Sequence, residues 1–312
     1  MKTARPPLPR SLVVIAGPTA SGKSALAIAL AQRHAGVVIN ADSAQVYRDL
    51  RILTARPTVE EEGRVPHRLF GHVDAADTGH NAARWAAEAR AVIAEVHADA
   101  KLPILVGGTG LYLRTLLDGI APVPPIDPAI RAAVRAMPVA AAHAILADLD
   151  PAGAARLHRN DTTRVHRALE VARSTGQSIG AWRERREGGI ADTVRLAAIV
   201  LLPPREWLAD RIARRSAAMV GAARVEASAL LNRTDVAADA PARRAIGMPE
   251  MARLLAGSAT EIETVAALDG TTRRYAKRQY TWFSRQPPPA WLRTETILPG
   301  EQLTALETML RR

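Results

Sequence analysis

The segment Gly17-Pro18-Thr19-Ala20-Ser21-Gly22-Lys23-Ser24 follows the apolar run Leu12-Val13-Val14-Ile15-Ala16 and leads into an Ala/Leu-rich stretch from Ala25 to Arg33. This order predicts a strand, a phosphate-cradling loop and a helix. Glycines let backbone N–H groups turn into such a loop, and the following helix adds its positive N-terminus. Lys23 is placed to reach terminal phosphates and the Ser24 hydroxyl to ligate Mg²⁺. The expected ligand is a phosphate ester or a diphosphate. Lysine is scarce in this arginine-rich chain, occurring only as Lys2, Lys23, Lys101 and Lys277. A compact ammonium fits a phosphate loop that a planar guanidinium would crowd, so geometry accounts for the lysine at position 23.

Four short apolar runs, Leu12 to Ala16, Val37 to Asn40, Pro103 to Gly107 and Val194 to Leu202, lack alternation and end in turn or cap residues. They predict buried parallel strands. Helical stretches lie between them, one of them capped by Asn81 and carrying Trp85, Val92, Ile93 and Val96 near helical spacing. Alternating strands and helices predict a doubly wound α/β core of the P-loop NTPase type, a parallel sheet flanked by helices. The proline-rich stretch Ala121-Pro122-Val123-Pro124-Pro125 breaks the pattern, and short helices without a strand follow. The expected organisation is therefore a first core part over 1–120, an all-helical insertion over 121–190, and a return strand with terminal helices over 191–312. Helices are expected over Arg205 to Leu231, Pro241 to Ala256 and Glu261 to Arg285, the last ended by Pro287-Pro288-Pro289, with a short helix in the tail.

The 312 residues, 48% of them hydrophobic, can bury a sizeable core. A net charge of +11, from 42 Lys+Arg against 31 Asp+Glu, points to a polyanionic partner such as nucleic acid, or else to an arginine-rich proteome. The absence of cysteine excludes disulfides, thiolate catalysis and cysteine-ligated zinc. Met1 to Arg10 lacks the apolar core of a signal peptide, and no apolar run is long enough to cross a bilayer, so a soluble cytoplasmic protein without a membrane partner is expected.

Asn40-Ala41-Asp42-Ser43-Ala44-Gln45-Val46-Tyr47 puts a carboxylate, a hydroxyl and an amide at the carboxyl end of the second strand, the edge where open α/β sheets bind ligands. Asp42 is there either a general base or adenine reader, or a helix cap. Gly107-Gly108-Thr109-Gly110-Leu111-Tyr112 forms a second glycine-rich turn at the same edge, with Thr109 offering a hydroxyl. Basic residues recur at Arg131, Arg156, Arg159, Arg164 and Arg167, at Arg211, Arg214 and Arg215, and along Arg273 to Arg285. In that last helix Arg273 with Lys277, and Arg274 with Arg278, stand at i and i+4 among Tyr, Trp and Phe, which suits either an RNA-docking face or a solvated basic face over a core contact. The histidine spacing shows no metal-ligand pattern.

Together these motifs, with Thr54-Ala55-Arg56-Pro57, Pro66-His67, Arg164 through Val171 and Lys277 to Phe283, resemble the bacterial tRNA dimethylallyltransferases and are colinear with them across almost the whole chain. The resemblance implies prenyl transfer from dimethylallyl diphosphate to N6 of the adenine just 3′ of the anticodon by a monomeric, Mg²⁺-dependent enzyme. It implies that Gly17, Pro18, Thr19, Ala20, Ser21, Gly22, Lys23 and Ser24 hold the donor's diphosphate, with Ser24 at the metal. Asp42 resembles the base for the adenine amine, Thr109 the residue anchoring the reacting end, and Arg215 the arginine on the diphosphate. Contacts to the tRNA anticodon stem-loop are implied for Asp42, Ser43, Ala44, Gln45 and Thr109, and for Arg131, Thr163, Arg164, Val165, His166 and Arg167 of the insertion. Arg244, Gly247 and Lys277, Arg278, Gln279, Tyr280, Thr281, Trp282, Phe283 and Ser284 complete the implied set.

The chain departs from the family pattern in three places. Ser24 replaces the common threonine, Arg244 to Glu250 lacks the usual tyrosine and following basic residue, and Asp49 to Leu53 lacks the usual glycine-containing turn. The alternatives are a P-loop kinase of small metabolites, an adenylate prenyltransferase acting on free nucleotide, and a catalytically silent RNA-binding protein.

Overall fold

The computed structural model describes residues 10–311. Six strands, β1 (Ser11–Ala16), β2 (Gly36–Asn40), β3 (His67–Arg68), β4 (Leu102–Gly107), β5 (Arg195–Leu201) and β6 (Leu292–Thr294), form one sheet in the order β3-β2-β4-β1-β5-β6. Every pairing is parallel. Strands β1, β2 and β4 are buried at every position, which is why they read as unbroken apolar runs. The edge strands β3 and β6, only two and three residues long, are too short to carry a pattern and were not expected. Ala16 pairs with both Gly107 and Val200, so β1, β4 and β5 end level. The sheet continues through β4 and β2 on one side of β1 and through β5 on the other, which opens a crevice at the carboxyl end of β1.

The helices α1 (Lys23–His34), α2 (Val59–Arg64), α3 (Ala82–Ala98) and α4 (Gly110–Asp118) follow the early strands. α1 buries Leu26, Leu30 and Ala31 in the same core as Val13, Ile15 and Ile104. Asn81 caps α3 as expected, its side chain accepting from the N–H groups of Ala83 and Arg84. Two compact units emerge, one from the chain up to Arg114 and from Ala191 onward, the other from Thr115–Ile190. The second holds α5 (Pro128–Arg135), α6 (Val139–Leu149), α7 (Pro151–Ala155), α8 (Thr162–Thr175) and α9 (Ile179–Glu184) around Val134, Leu146, Val165 and Leu169.

Beyond β5, the single helix expected over Arg205 to Leu231 is interrupted at Ala223, giving α10 (Arg205–Ala222) and α11 (Arg224–Leu231). The interruption accompanies the carboxylate of Glu226, on α11, accepting from the N–H groups of Arg51, Ile52 and Leu53 at 2.6, 2.7 and 2.9 Å. That carboxylate closes the turn that lacks the usual glycine. The helix expected over Pro241 to Ala256 is instead a 3₁₀ turn, Pro241–Arg244, followed by α12 (Met248–Leu255). Gly247 stops the backbone between them with φ +99°, a value outside helical geometry. α13 (Glu261–Arg285) has the expected bounds and begins in a capping box of Thr260 and Glu263. α14 (Pro299–Arg311) adds Leu303 and Leu306 to the core under α1. No helix among the described residues is long and apolar enough to cross a membrane.

Candidate active site

The loop from Gly17 to Gly22 sits at the end of β1. Gly17 has φ +144°, and a Cβ there would lie 2.4 Å from the carbonyl oxygen of Leu201, so only glycine lets β1 leave the sheet this close to β5. Three cations converge on this loop. Lys23 Nζ donates to Pro18 O at 2.6 Å, Arg215 Nη2 to Thr19 Oγ1 at 2.7 Å and Arg211 Nε to Ala20 O at 2.9 Å. Desolvation lowers the Lys23 ammonium to about 8, with the Asp42 carboxylate opposing and the Arg215 charge assisting the shift. Burial, then the Arg211 charge, lowers Arg215 too. Stacking cations in one place costs stability that a bound polyanion returns. Ser21 Oγ is buried without a protein partner, while Ser24 at the start of α1 is exposed.

At the end of β2, Asn40 Oδ1 accepts from Asp42 N, and Asp42 Oδ1 accepts from Ala44 N at 2.9 Å. No helix follows, so the helix-cap alternative for Asp42 is corrected: its carboxylate organises a turn at the mouth of the crevice. Thr109 Oγ1 accepts from Ser43 N at 3.0 Å and donates to Ser43 Oγ at 3.2 Å, tying the two turns together. Gln45 Nε2 donates to the carbonyls of Thr54 and Ala55, which makes Gln45 a strut for the next loop. Tyr275 enters from α13 and lines the same cavity as Asp42. Burial, then the nearby Asp42 charge, pushes its phenol well above the ordinary range.

The last long helix divides into two faces. Gln279 is buried, and its amide joins both glycine-rich turns, Oε1 accepting from Thr19 N at 2.8 Å and Nε2 donating to Gly108 O at 2.9 Å. A Cβ on Gly108 would lie 2.2 Å from Gln279 Nε2, so that glycine exists to admit the amide. Trp282 packs against Gly110, and Tyr280 donates to Leu202 O at 3.2 Å under the Arg205 guanidinium. Phe283 is 0% exposed. The aromatic and amide residues Gln279, Tyr280, Trp282 and Phe283 thus face the protein, the arrangement of the second alternative, a basic face over a core contact. The opposite face exposes Arg273, Arg274, Lys277, Arg278, Thr281 and Ser284.

Within the helical unit, Val165 belongs to the core and His166 is buried, so neither side chain forms a surface, against expectation. Buried Glu170 pairs with Arg135 at 3.1 Å and Arg167 at 3.6 Å. Arg131, Thr163 and Arg164 are exposed, although Arg164 also pairs with Asp161 at 3.3 Å. In the other unit Arg244 is exposed, and Gly247 is a buried turn residue whose Cβ would meet Leu53.

The phosphate loop, Asp42, Tyr112, Arg215, Arg244 and Tyr275 line one cavity of about 970 Å³. Arg211 and Tyr275 stood only in basic runs of the sequence, and Glu226 carried no signal at all. Position along a helix does not say which loop a side chain will meet. Tyr112 stacks on Trp85 at 4.5 Å, and Trp85 Nε1 donates to Asn40 O, so the cavity wall is braced from the core.

Residues 45–286 match the model of the family described as IPP transferase. A tRNA dimethylallyltransferase of Sphingopyxis alaskensis is 62% identical over 301 residues, covering 96% of this chain and 98% of that protein. One of Erythrobacter litoralis is 50% identical over 291 residues, 92% of each chain. Among solved structures, the full-length tRNA isopentenylpyrophosphate transferase of Bacillus halodurans aligns with a TM-score of 0.68 at 35% identity, covering 97% of both chains. A eukaryotic dimethylallyltransferase acting on tRNA aligns with a TM-score of 0.77 at 28% identity, over 88% of this chain and 69% of the other.

Proposed function

We propose, since this chain belongs to the IPP transferase family, that it transfers a dimethylallyl group from dimethylallyl diphosphate to N6 of the adenine 3′-adjacent to the anticodon in tRNA. The observation that carries this reading is one carboxylate, Asp42, lining the same cavity as the cations gathered on the phosphate loop. One bond forms, between N6 and C1 of the prenyl group, and the C1–O bond to diphosphate breaks. The N6 proton passes to the Asp42 carboxylate and diphosphate leaves. Lys23 and Arg215 rest on Pro18 O and Thr19 Oγ1, and they exchange these partners for diphosphate oxygens without travelling. Their charge then faces the oxygen on which negative charge grows. A neutral exocyclic amine is a weak nucleophile, and proton removal by a positioned carboxylate raises its rate about 10²–10⁴-fold.

Thr109, held by Ser43, anchors the reacting end. The adenine leaves the anticodon loop to enter the cavity. The Ser24 hydroxyl lines the same cavity and is a hard oxygen donor that fits Mg²⁺. Ser24 would hold the ion, which when bound adds charge neutralisation at the diphosphate. Exposed Arg131, Thr163, Arg164, Arg244, Lys277 and Arg278 supply backbone-phosphate contacts. The tRNA substrate makes the cytoplasm the place of action, and one copy of the chain carries every residue named, so a monomer suffices.

The test is mass spectrometry of unmodified tRNA incubated with the protein, Mg²⁺ and dimethylallyl diphosphate, without ATP. A prenyl increment on the adenosine beside the anticodon is expected. An unmodified tRNA together with ATP consumption in a parallel reaction would overturn the reading in favour of a kinase.

A further inference from the structure

Away from the phosphate loop, the fold gathers three side chains whose sequence spacing connects none of them: His72 after β3, His80 just before α3, and Glu88 within α3. Nε2 of His72 lies 2.9 Å, and Nε2 of His80 3.3 Å, from the same Glu88 Oε2. We propose that His72, His80 and Glu88, whose ligand atoms all lie within 4.8 Å of one another, form a binding site for a divalent transition metal ion of the Zn²⁺ type. Each residue contributes one ligand atom, and water takes the fourth position.

The spacing carries the argument first. A tetrahedral ion with ligand bonds of about 2.1 Å separates its ligand atoms by about 3.4 Å. The two N···O separations, 2.9 and 3.3 Å, bracket within about half an ångström the contact such an ion needs, and no two ligand atoms stand more than 4.8 Å apart, so side-chain adjustments of about an ångström or less close the set on an ion. The donor set comes second. Two imidazoles and one carboxylate match three-ligand zinc sites with an open position, whereas Mg²⁺ and Ca²⁺ prefer oxygen alone.

The scaffold around the ligands is fixed on two sides. The His80 side chain is 1% exposed, and its Nδ1 stands 3.5 Å from the Tyr112 hydroxyl. That oxygen accepts the Nδ1–H when the Nε2 lone pair serves as ligand. Glu88 Oε1 accepts from Arg84 Nε at 3.1 Å, and Arg84 is itself anchored on Asp77 at 2.6 Å, which aims the other carboxylate oxygen at the histidines. His72 and Glu88 are 28% and 26% exposed, which leaves an entry path for the ion. The competing arrangement is a hydrogen-bond cluster with both rings donating to Glu88. The buried Nδ1 of His72 has no protein partner and favours neither.

His80 and Tyr112 also line the reaction cavity, so an ion here would brace its wall while sharing no ligand with the phosphate loop. The site is therefore testable without measuring transfer. Full-length protein lacking any affinity histidines is stripped with chelator and titrated with Co²⁺, following visible absorption, then with Zn²⁺. One Co²⁺ per chain, displaced by one Zn²⁺, and a rise in melting temperature on Zn²⁺ addition are expected. Glu88→Gln and His72→Ala should each weaken Co²⁺ binding by more than about tenfold, while His158→Ala on the exposed surface leaves it unchanged. Circular dichroism of the metal-free variants separates lost binding from lost folding. No Co²⁺ absorption up to 0.1 mM, on the order of the weakest useful site, would overturn the proposal. Wild-type binding in both Glu88→Gln and His72→Ala would overturn it equally.

Discussion

The side-chain oxygen of Gln279 accepts a 2.8 Å hydrogen bond from the backbone N–H of Thr19, so the last long helix holds the phosphate loop from behind. The other end of the same amide holds Gly108 O, and the two glycine-rich turns at the crevice share one buried support. Gln279→Leu should leave a buried N–H and a buried C=O unpaired and cost about 1–3 kcal/mol each way the turns relax. The expected kinetic signature is a rise in KM for the prenyl donor with tRNA affinity unchanged. Steady-state kinetics and a tRNA filter-binding assay check it, and equal losses in both would refute a loop-positioning role.

Asp42→Asn keeps an oxygen for the Ala44 N–H and so preserves the turn, but it removes the proton acceptor. The transfer rate should fall about 10²–10⁴-fold with little change in tRNA binding. Single-turnover kinetics at saturating donor reads this directly.

Lys23 titrates at about 8 in the folded protein, against 10.5 for the unperturbed side chain. The folded state therefore binds fewer protons between those values, and Lys23 burial costs stability fully below about 8, a cost relieved as pH rises towards 10.5. Anion binding runs the other way, because it needs the ammonium. Affinity for inorganic diphosphate should fall by up to about tenfold per pH unit above the Lys23 value. Lys23→Met should abolish this dependence and leave the unliganded protein at least as stable at pH 7. Calorimetric titration of diphosphate over a pH series, with melting curves of both proteins, tests each half.

Glu226→Ala should uncap three backbone N–H groups of the turn Arg51 to Leu53. A loss of about 1–3 kcal/mol in unfolding free energy is expected, measured by urea denaturation. Glu226→Gln keeps one acceptor oxygen and should recover part of it.

The two faces of α13 predict opposite outcomes. Lys277→Ala, on the exposed face, should weaken tRNA binding and reduce its salt slope by about one, with stability unchanged. Phe283→Ala, at a fully buried site, should cost about 3–5 kcal/mol of stability. Salt-dependent binding isotherms and thermal melts of both variants separate an RNA contact from a core contact.

Local pattern determined much of this protein. Unbroken apolar runs announced β1, β2, β4 and β5 because strands buried on both faces have no polar side to alternate with. The glycine-flanked Lys23 announced the phosphate loop because few backbone geometries cradle an anion. The end of α13 was legible from the prolines after Arg285, since breaking is decided within a few residues, and a capping box of Thr260 and Glu263 fixes its start. Tertiary structure alone decided which neighbours each side chain met. Helical charge runs look alike whether they face solvent or a loop, and only packing turned Gln279 inward and Lys277 outward on one helix. Glu226 reaches Arg51 across 175 positions of sequence, and His72, His80 and Glu88 meet because a loop returns to α3. Such long-range meetings are set by how elements pack, and no local spacing encodes them.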